Sequence, residues 1–385
     1  MNDIINEFAT IVENPLQRAR RWKEAGKGVI GCFPMYIPEE VIHAGGMLPI
    51  TLLGTHEVVT SSDRYLQPYL CHVPRSNLDL ALKGKLDFLD GIVFPDTCDV
   101  VQMLPGIWRL HSSMPFQHAV AVAGKIDSVS SQRYLVEQFS QLRESLEKFT
   151  GRDISDNDLR QSIVTYNQNR DLMHSLYQMR KANPGIFTAR DVAMAVMASM
   201  LMPKEEHSVL MRQLLEKTMN REKRPNNKLR LIVLGSPCDQ PGWDILNLIE
   251  ELGAMVVNDD LYVGRRYFAT KVNEAISPIK ALAEHYINDV PCPTKHNQDR
   301  KYAEYLSNLA RESEAQGVVI LMVKYCEPYL FAYSVVKAEL ARHGIPHLLL
   351  EIEPPTSLES ARTRLQAFIE TLGGWHGNKV PAYQV

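Results

Sequence analysis

The chain has 385 residues, with 42 Lys+Arg against 45 Asp+Glu, a formal charge of -3 and 45% hydrophobic residues. That apolar content is enough for two or three packed cores, and a near-neutral charge with both signs mixed along the chain argues against nucleic acid or an anionic membrane as partner. The acidic start, MNDIINEFATIVENP, is unlike a signal peptide, and the longest apolar run, Val192 to Met202, is well short of the ~20 residues a membrane span needs, so a cytoplasmic protein is expected.

In chain order, residues 1–25 read as an N-terminal helix. Next come strand VIGCFP (29–34), a helix opened by Pro38, strand LPITLLG (48–54), a helix near Ser76 to Lys83, and strands GIVFP (91–95) and FQHAVAVAG (116–124). Strands alternating with helices predict a largely parallel sheet covered on both faces, giving a first α/β domain over 26–130. Long amphipathic stretches then predict a helical region over 131–225, with the polar NREKRPNNK (220–228) as a connector. Strand patterns return in LRLIVLG (229–235), AMVVND (254–259), GVVILMV (317–323) and PHLLLEIE (346–353), which predict a second α/β domain over 226–385. The expected class is α/β, with two doubly wound, mostly parallel sheets and the helical region between them.

Several familiar motifs are absent. GKGVIG (26–31) matches a dinucleotide fingerprint in letters only, because it precedes a strand instead of following one, and the chain has no P-loop, HExxH or GxSxG. Six cysteines stand at 32, 71, 98, 238, 292 and 326, with no CxxC pair, too sparse for a disulfide scaffold. Cys98, Cys238 and Cys326 each follow an apolar strand directly, where open α/β sheets collect ligands. Each precedes an acid, Asp99, Asp239 or Glu327, whose plainest role is capping the next helix. Cys71 stands in a polar setting beside His72 and Arg75. Three thiolates with one open position would suit an iron–sulfur cluster that also binds substrate. Taken singly, each cysteine reads as a small buried hydrophobe. Cys32, inside a strand, is expected to be core packing, and Cys292, between Pro291 and Pro293, is a weaker candidate. The histidines show no metal-ligand pairing.

Four blocks carry a family resemblance: residues 31–54 (GCFPMYIPEEVIHAGGMLPITLLG), 69–82 (YLCHVPRSNLDLAL), 90–108 (DGIVFPDTCDVVQMLPGIW) and 318–340 (VVILMVKYCEPYLFAYSVVKAEL). In this order they resemble the 2-hydroxyacyl-CoA dehydratase and benzoyl-CoA reductase superfamily, and within it the smaller cluster-carrying subunits of ATP-dependent benzoyl-CoA reductases. Single-chain double-cubane relatives are a poorer match, because the segment after Cys71 lacks their added cysteine. The resemblance implies a 4Fe-4S cluster held by Cys71, Cys98 and Cys326 and not by Cys238, with Glu40 as a candidate carboxylate near the remaining iron. It also implies radical reduction of benzoyl-CoA to cyclohexa-1,5-diene-1-carboxyl-CoA alongside a homologous cluster-carrying subunit. Ferredoxin is the implied electron donor, and ATP is used by separate activator subunits and not bound here.

A subunit of an (R)-2-hydroxyacyl-CoA dehydratase, or a non-catalytic electron relay or scaffold, are the alternatives. His72, Asp99, Tyr325 and Glu327 are unranked candidates for proton donation. Arg265 and Arg266, after the DDLYVG turn, are candidate contacts for the CoA diphosphate, although a solvated surface pair is the plainer expectation.

Overall fold

The computed structural model describes residues 1–55, 57–219, 228–236, 242–295, 299–353 and 358–374. Each apolar strand run forms a strand: β1 (Val29–Cys32), β2 (Leu48–Thr51), β3 (Gly91–Pro95), β4 (Phe116–Val120), β5 (Leu229–Gly235), β6 (Ala254–Asp260), β7 (Gly317–Val323) and β8 (His347–Ile352). They make two all-parallel sheets, ordered β2-β1-β3-β4 and β6-β5-β7-β8. The two orders are the same when counted within each half, so the α/β expectation holds and the halves share one topology. In both sheets the chain runs outward from the first strand in one direction and then in the other, leaving a switch point between β1 and β3 and between β5 and β7.

The helices are α1 (Asn2–Glu13), α2 (Gln17–Glu24), α3 (Glu39–Ala44), α4 (His72–Leu82), α5 (Asp99–His111), α6 (Val129–Thr150), α7 (Asp156–Ala182), α8 (Ala189–Ser199), α9 (Lys204–Met219), α10 (Gly242–Glu251), α11 (Pro278–Asn288), α12 (Asp299–Glu312), α13 (Glu327–Arg342) and α14 (Leu358–Gly374). The N-terminal segment is two helices where one was expected. Pro15 cannot donate a helical hydrogen bond and turns Asn14 out of the α region, to φ -125 and ψ 62.

Successive strand residues alternate between two cores, as the period of two requires. In the first sheet Ile30, Cys32, Val93 and Phe116 face α3, α6, α7 and α11, while Val29, Ile50, Ile92 and Phe94 face α2, α4 and α5. In the second, Leu231, Val233, Val256 and Val319 face α1, α8, α9, α10 and α14, and Ile232, Leu234, Val257 and Ile320 face α12 and α13. The long helices have no core of their own. Helix α7 bridges the halves, with Leu159 and Ile163 in the first core and Met173, Leu176 and Tyr177 in the second. Cys32 is packed into the first core as expected. The apolar run from Val192 is buried at α8 against α1 and α10, and no helix among the described residues is long and apolar enough to cross a membrane. Residues 220–227, most of the expected connector, lie outside the described residues, as does Cys238.

Beneath α8 a polar knot is fully enclosed. His207 Nδ1 accepts from the Asn169 amide at 2.8 Å, and its Nε2 donates to the Ala195 carbonyl at 2.8 Å. Desolvation drives the His207 pKa down to about 3, against the opposing pull of the Ala195 carbonyl. In the unfolded chain this histidine takes up a proton at about pH 6.5, whereas in the fold it does so only at about 3. Between those values the unfolded state holds more protons, so His207 withdraws stability as pH falls below about 6.5, by up to ~1.4 kcal/mol per unit. Urea unfolding of the wild type and His207→Gln at about pH 7.5 and about pH 5 should give a flatter pH dependence for the variant. Equal slopes would assign the acid sensitivity elsewhere.

Candidate functional site

A parallel strand ends where its crossover helix begins, so the carboxyl edge of each sheet is lined by helix N-termini. Three cysteines occupy that junction. Cys71 directly precedes α4, Cys98 directly precedes α5, and Cys326 directly precedes α13. The unpaired N–H groups of a first helical turn, and the positive end of the helix dipole, favour negative charge on such a sulfur. Burial raises the Cys98 thiol above its ordinary value, opposed by the backbone N–H groups of Val101 and Val100. Burial pushes Cys326 up to about 12, opposed by the Tyr329 N–H and the Ser236 hydroxyl, while Cys98 and Cys292 act on it electrostatically.

Ser236 is positioned by the switch point itself. It follows Gly235, whose φ is 141 and where a Cβ would collide with the Leu321 carbonyl on β7. Only glycine lets β5 approach β7 that closely before the serine. The Ser236 hydroxyl also accepts the Val323 N–H at 2.9 Å. Tyr325, beside Cys326, has φ 66, a left-handed conformation that is rare for a bulky residue.

A cleft of about 600 Å³ opens at this edge, lined by Cys98, Asp99, Cys292, Lys295, Glu327 and Phe331 among others. Cys71 and Cys326 each pack, partly buried, against the large core that includes the second sheet, and α4 packs on α5. Among the described residues no three His, Cys, Asp or Glu side chains converge closely enough for a single metal ion. Thiols with backbone N–H donors near the sulfur, as at Cys98 and Cys326, are of the donor type that holds iron–sulfur groups. Because burial raises the Cys98 and Cys326 thiols, such a group must displace their protons on binding. On these grounds the residues fit a thiolate-held cluster.

The other sequence candidates divide between two places. Asp99 and Glu327 are exposed at the rim of the cleft, each as the first residue of its helix. Tyr325 is half-buried, with the Lys324 ammonium 5.2 Å over its ring. His72 is buried, its Nε2 2.7 Å from the Thr55 carbonyl oxygen. Glu40 lies apart from the cleft, in a separate chamber of about 90 Å³ lined in part by Glu39, Tyr166, Arg170, Lys204 and Tyr267. Burial works against the Glu40 carboxylate, but Arg170, 2.6 Å away, together with His285 and the Glu40 N–H more than offsets it, leaving Glu40 below its ordinary pKa. In the same chamber Glu39 accepts from the Tyr267 hydroxyl at 2.8 Å and pairs with Lys204 at 3.2 Å.

Two expectations change. Arg266 is neither a solvated surface residue nor free for a diphosphate: it is 2% exposed and donates to Asp260 at 2.5 Å and to the Pro291 carbonyl at 2.9 Å. The charge of Asp260, at the end of β6, is what makes a buried arginine tolerable there. Arg265 faces a different polar cleft of about 250 Å³, together with His174 and Arg230. Cys292, ranked low from sequence, lines the 600 Å³ cleft. Its flanking prolines were the signal available for it.

A family model described as "2-hydroxyglutaryl-CoA dehydratase, D-component" matches residues 34–372. The chain belongs to this family. The C subunit of benzoyl-CoA reductase from Thauera aromatica is 29% identical over 381 residues, covering 97% of this chain and 99% of the relative. The (R)-phenyllactyl-CoA dehydratase beta subunit from Clostridium sporogenes is 30% identical over 369 residues, covering 95% and 98%. The beta subunit of (R)-2-hydroxyglutaryl-CoA dehydratase from Acidaminococcus fermentans is 26% identical over 377 residues, covering 96% and 99%. These relatives are parts of acyl-CoA reductases or dehydratases at similar identity, which supports a catalytic role of that kind for the D-component chain without choosing the reaction.

The Glu40–Arg170 pair offers a direct check on the chamber. Arg170→Leu leaves a buried carboxylate without its counter-charge and should destabilise the chain by about 3–5 kcal/mol, with part of the loss recovered in Arg170→Leu/Glu40→Gln. Denaturant unfolding of the wild type, both single variants and the double variant measures it, and a loss under about 1 kcal/mol would mean that water or another cation already serves Glu40.

Proposed function

We propose that this chain is the iron–sulfur subunit of a hetero-oligomeric reductase that converts benzoyl-CoA to cyclohexa-1,5-diene-1-carboxyl-CoA, with Cys71, Cys98 and Cys326 as ligands of a 4Fe-4S cluster. The observation that carries the reading is the start of three helices directly after cysteines at the carboxyl edges of two switch-point sheets. Full-length similarity to the C subunit of a benzoyl-CoA reductase supports the class of acyl-CoA chemistry to which this reaction belongs. ATP hydrolysis and electron delivery from ferredoxin belong to partner subunits in this reading.

When bound, the cluster supplies single electrons at low potential. The chain's own residues prepare the surroundings. The N–H groups of Val100, Val101 and Tyr329 and the Ser236 hydroxyl stabilise negative charge on sulfur, and hydrogen bonds to sulfur tune such a centre. Lys295 is buried with its ammonium 2.7 Å from the Tyr286 carbonyl oxygen. Burial lowers its pKa, opposed by Asp289 and Cys292, and its side chain lines the same cleft. Asp99 and Glu327, at the rim, can carry protons between solvent and the cleft, and His72 and Tyr325 are the two further titratable neighbours of the ligands.

A second reading has its own support. The phenyllactyl-CoA dehydratase beta subunit is as similar as the reductase subunit, and its named substrate also carries an aromatic ring. The deciding experiment is anaerobic purification with the co-expressed partner, followed by assay with activator on benzoyl-CoA and on (R)-phenyllactyl-CoA, beside iron and sulfide analysis. About four irons per copy, lost in Cys98→Ala, with ring reduction of benzoyl-CoA, is the expected result. Turnover of (R)-phenyllactyl-CoA alone would replace the reductase by a dehydratase, and an iron-free wild type after anaerobic reconstitution would remove the cluster.

A further inference from the structure

We infer that the 250 Å³ cleft beside the edge strand β6 is a binding site for a phosphate group, with Arg265 and Lys181 as the residues that meet its charge. The inference goes beyond the cluster reading and does not depend on it. Among the described residues that line this cleft are three cations, Lys181, Arg230 and Arg265, against one acid, Glu312. Its volume of about 250 Å³ is below the ~300–1,000 Å³ of pockets that enclose a whole small molecule, and it suits one ionic group.

Arg265 is presented by a turn that holds its backbone in place. After β6 the chain folds back over Asp259: a Cβ on Gly264 would fall 2.1 Å from Asp259 Oδ1, and the Arg265 N–H donates to that same oxygen at 2.8 Å. The other Asp259 oxygen accepts from the Tyr177 hydroxyl at 2.5 Å. Both oxygens are thus engaged, and the Arg265 guanidinium has no acid of its own among the described residues. Its Nε is buried and has no hydrogen-bond partner there. A buried donor in that condition is costly unless a group entering the cleft accepts from it. The charge of Arg265 is felt at His174 on the same cleft, whose pKa lies below its ordinary value through burial first and then through Arg265.

Neighbouring cations are served differently. Arg266 is paired with Asp260, Lys271 pairs with Asp171 at 2.9 Å, and Arg230 donates to the Ser313 and Glu314 carbonyls at 2.7 and 3.2 Å. Lys181, exposed in the last turn of α7, pairs with no acid among the described residues, and the exposed Glu312 pairs with no cation among them. A planar guanidinium with free N–H groups can bond two phosphate oxygens at once, and an ammonium on the same cleft adds charge without demanding direction. A dianion also answers an excess of positive charge better than a single carboxylate does. Arg266, the next residue, bonds the Pro291 carbonyl at the wall of the 600 Å³ cleft, so one short segment lies between the two openings. A phosphate of an acyl-CoA and a free phosphate or nucleotide offer this site the same chemistry.

The test is calorimetric titration of the chain, purified anaerobically with its co-expressed partner, with inorganic phosphate, ADP, CoA and dephospho-CoA, as wild type, Arg265→Gln, Lys181→Gln and Glu312→Gln. Arg265→Gln should weaken inorganic phosphate about tenfold or more and Lys181→Gln by less, while Glu312→Gln should tighten it by removing a like charge from the same cleft. Residues that only support the fold would not give shifts of opposite sign. CoA bound more tightly than dephospho-CoA, with the difference lost in Arg265→Gln, assigns the site to the 3′-phosphate of an acyl-CoA. Phosphate or ADP following the variants while CoA and dephospho-CoA bind alike assigns it to a free phosphate or nucleotide. A wild type that binds none of the four, or binds them with the same affinities as Arg265→Gln, overturns the site. Should Arg265→Gln fail to fold, the opposite shifts at the exposed Lys181 and Glu312 decide, and their absence overturns it. Iron content should be the same in wild type and variants, so that an iron-free wild type would remove the cluster and leave this site standing, and loss of this site would leave the cluster.

Discussion

Parallel strands cannot be joined by tight hairpins; each must be followed by a crossover that returns the chain to the opposite edge. Much of this protein follows from that constraint. Strand ends collect on one edge, the helices that begin there bring their unpaired N–H groups to it, and the reversal of strand order opens a crevice in each sheet. Cys98 and Cys326 stand after β3 and β7, one from each sheet. The cleft is lined both by Cys98 and Asp99, after β3, and by Glu327 and Phe331, after β7, so neither half contains it alone.

Holding the halves in that relation calls for contacts that the sheets do not supply. Helix α7 contributes apolar residues to a core on each sheet. Beside it, Glu39 and Glu40 from the segment after β1 pair with Lys204 on α9 and Arg170 on α7, and Tyr267, from beyond β6, donates to Glu39. Buried ion pairs of this kind add little net stability, since desolvation offsets most of the attraction. They do penalise misalignment, because sliding either half leaves a charge buried without its partner. Arg266 extends the same pattern toward the site: it bonds Asp260 and the Pro291 carbonyl and approaches the Tyr36 hydroxyl at 3.4 Å. Tyr36, itself at φ 73, lies between the charged chamber and Cys292.

The family relatives divide between ring reduction and removal of water, yet each spans nearly the whole of this chain at 26–30% identity. A common fold is therefore compatible with either outcome. Phe331 and Glu327 are both exposed at the cleft.

By itself the sequence marked the eight strands found among the described residues; β1, β3 and β7, buried along their whole length, are unbroken apolar runs visible without neighbours, whereas β4 and β8 are partly exposed. It also determined the α/β class and the junctions at Cys98 and Cys326, since a strand end followed by a helix start is a local pattern; Cys71 was marked by its block. The break at Pro15 was equally local and was missed only because the helical period continues across it. Tertiary structure alone decided that Cys292 and Cys98, far apart in the chain, line one cleft, that Arg266 turns inward to Asp260, and that Glu40 is held by Arg170. Periodicity records which side of an element avoids water, whereas the pairing of distant polar groups depends on how finished elements pack, and no spacing along the chain records that.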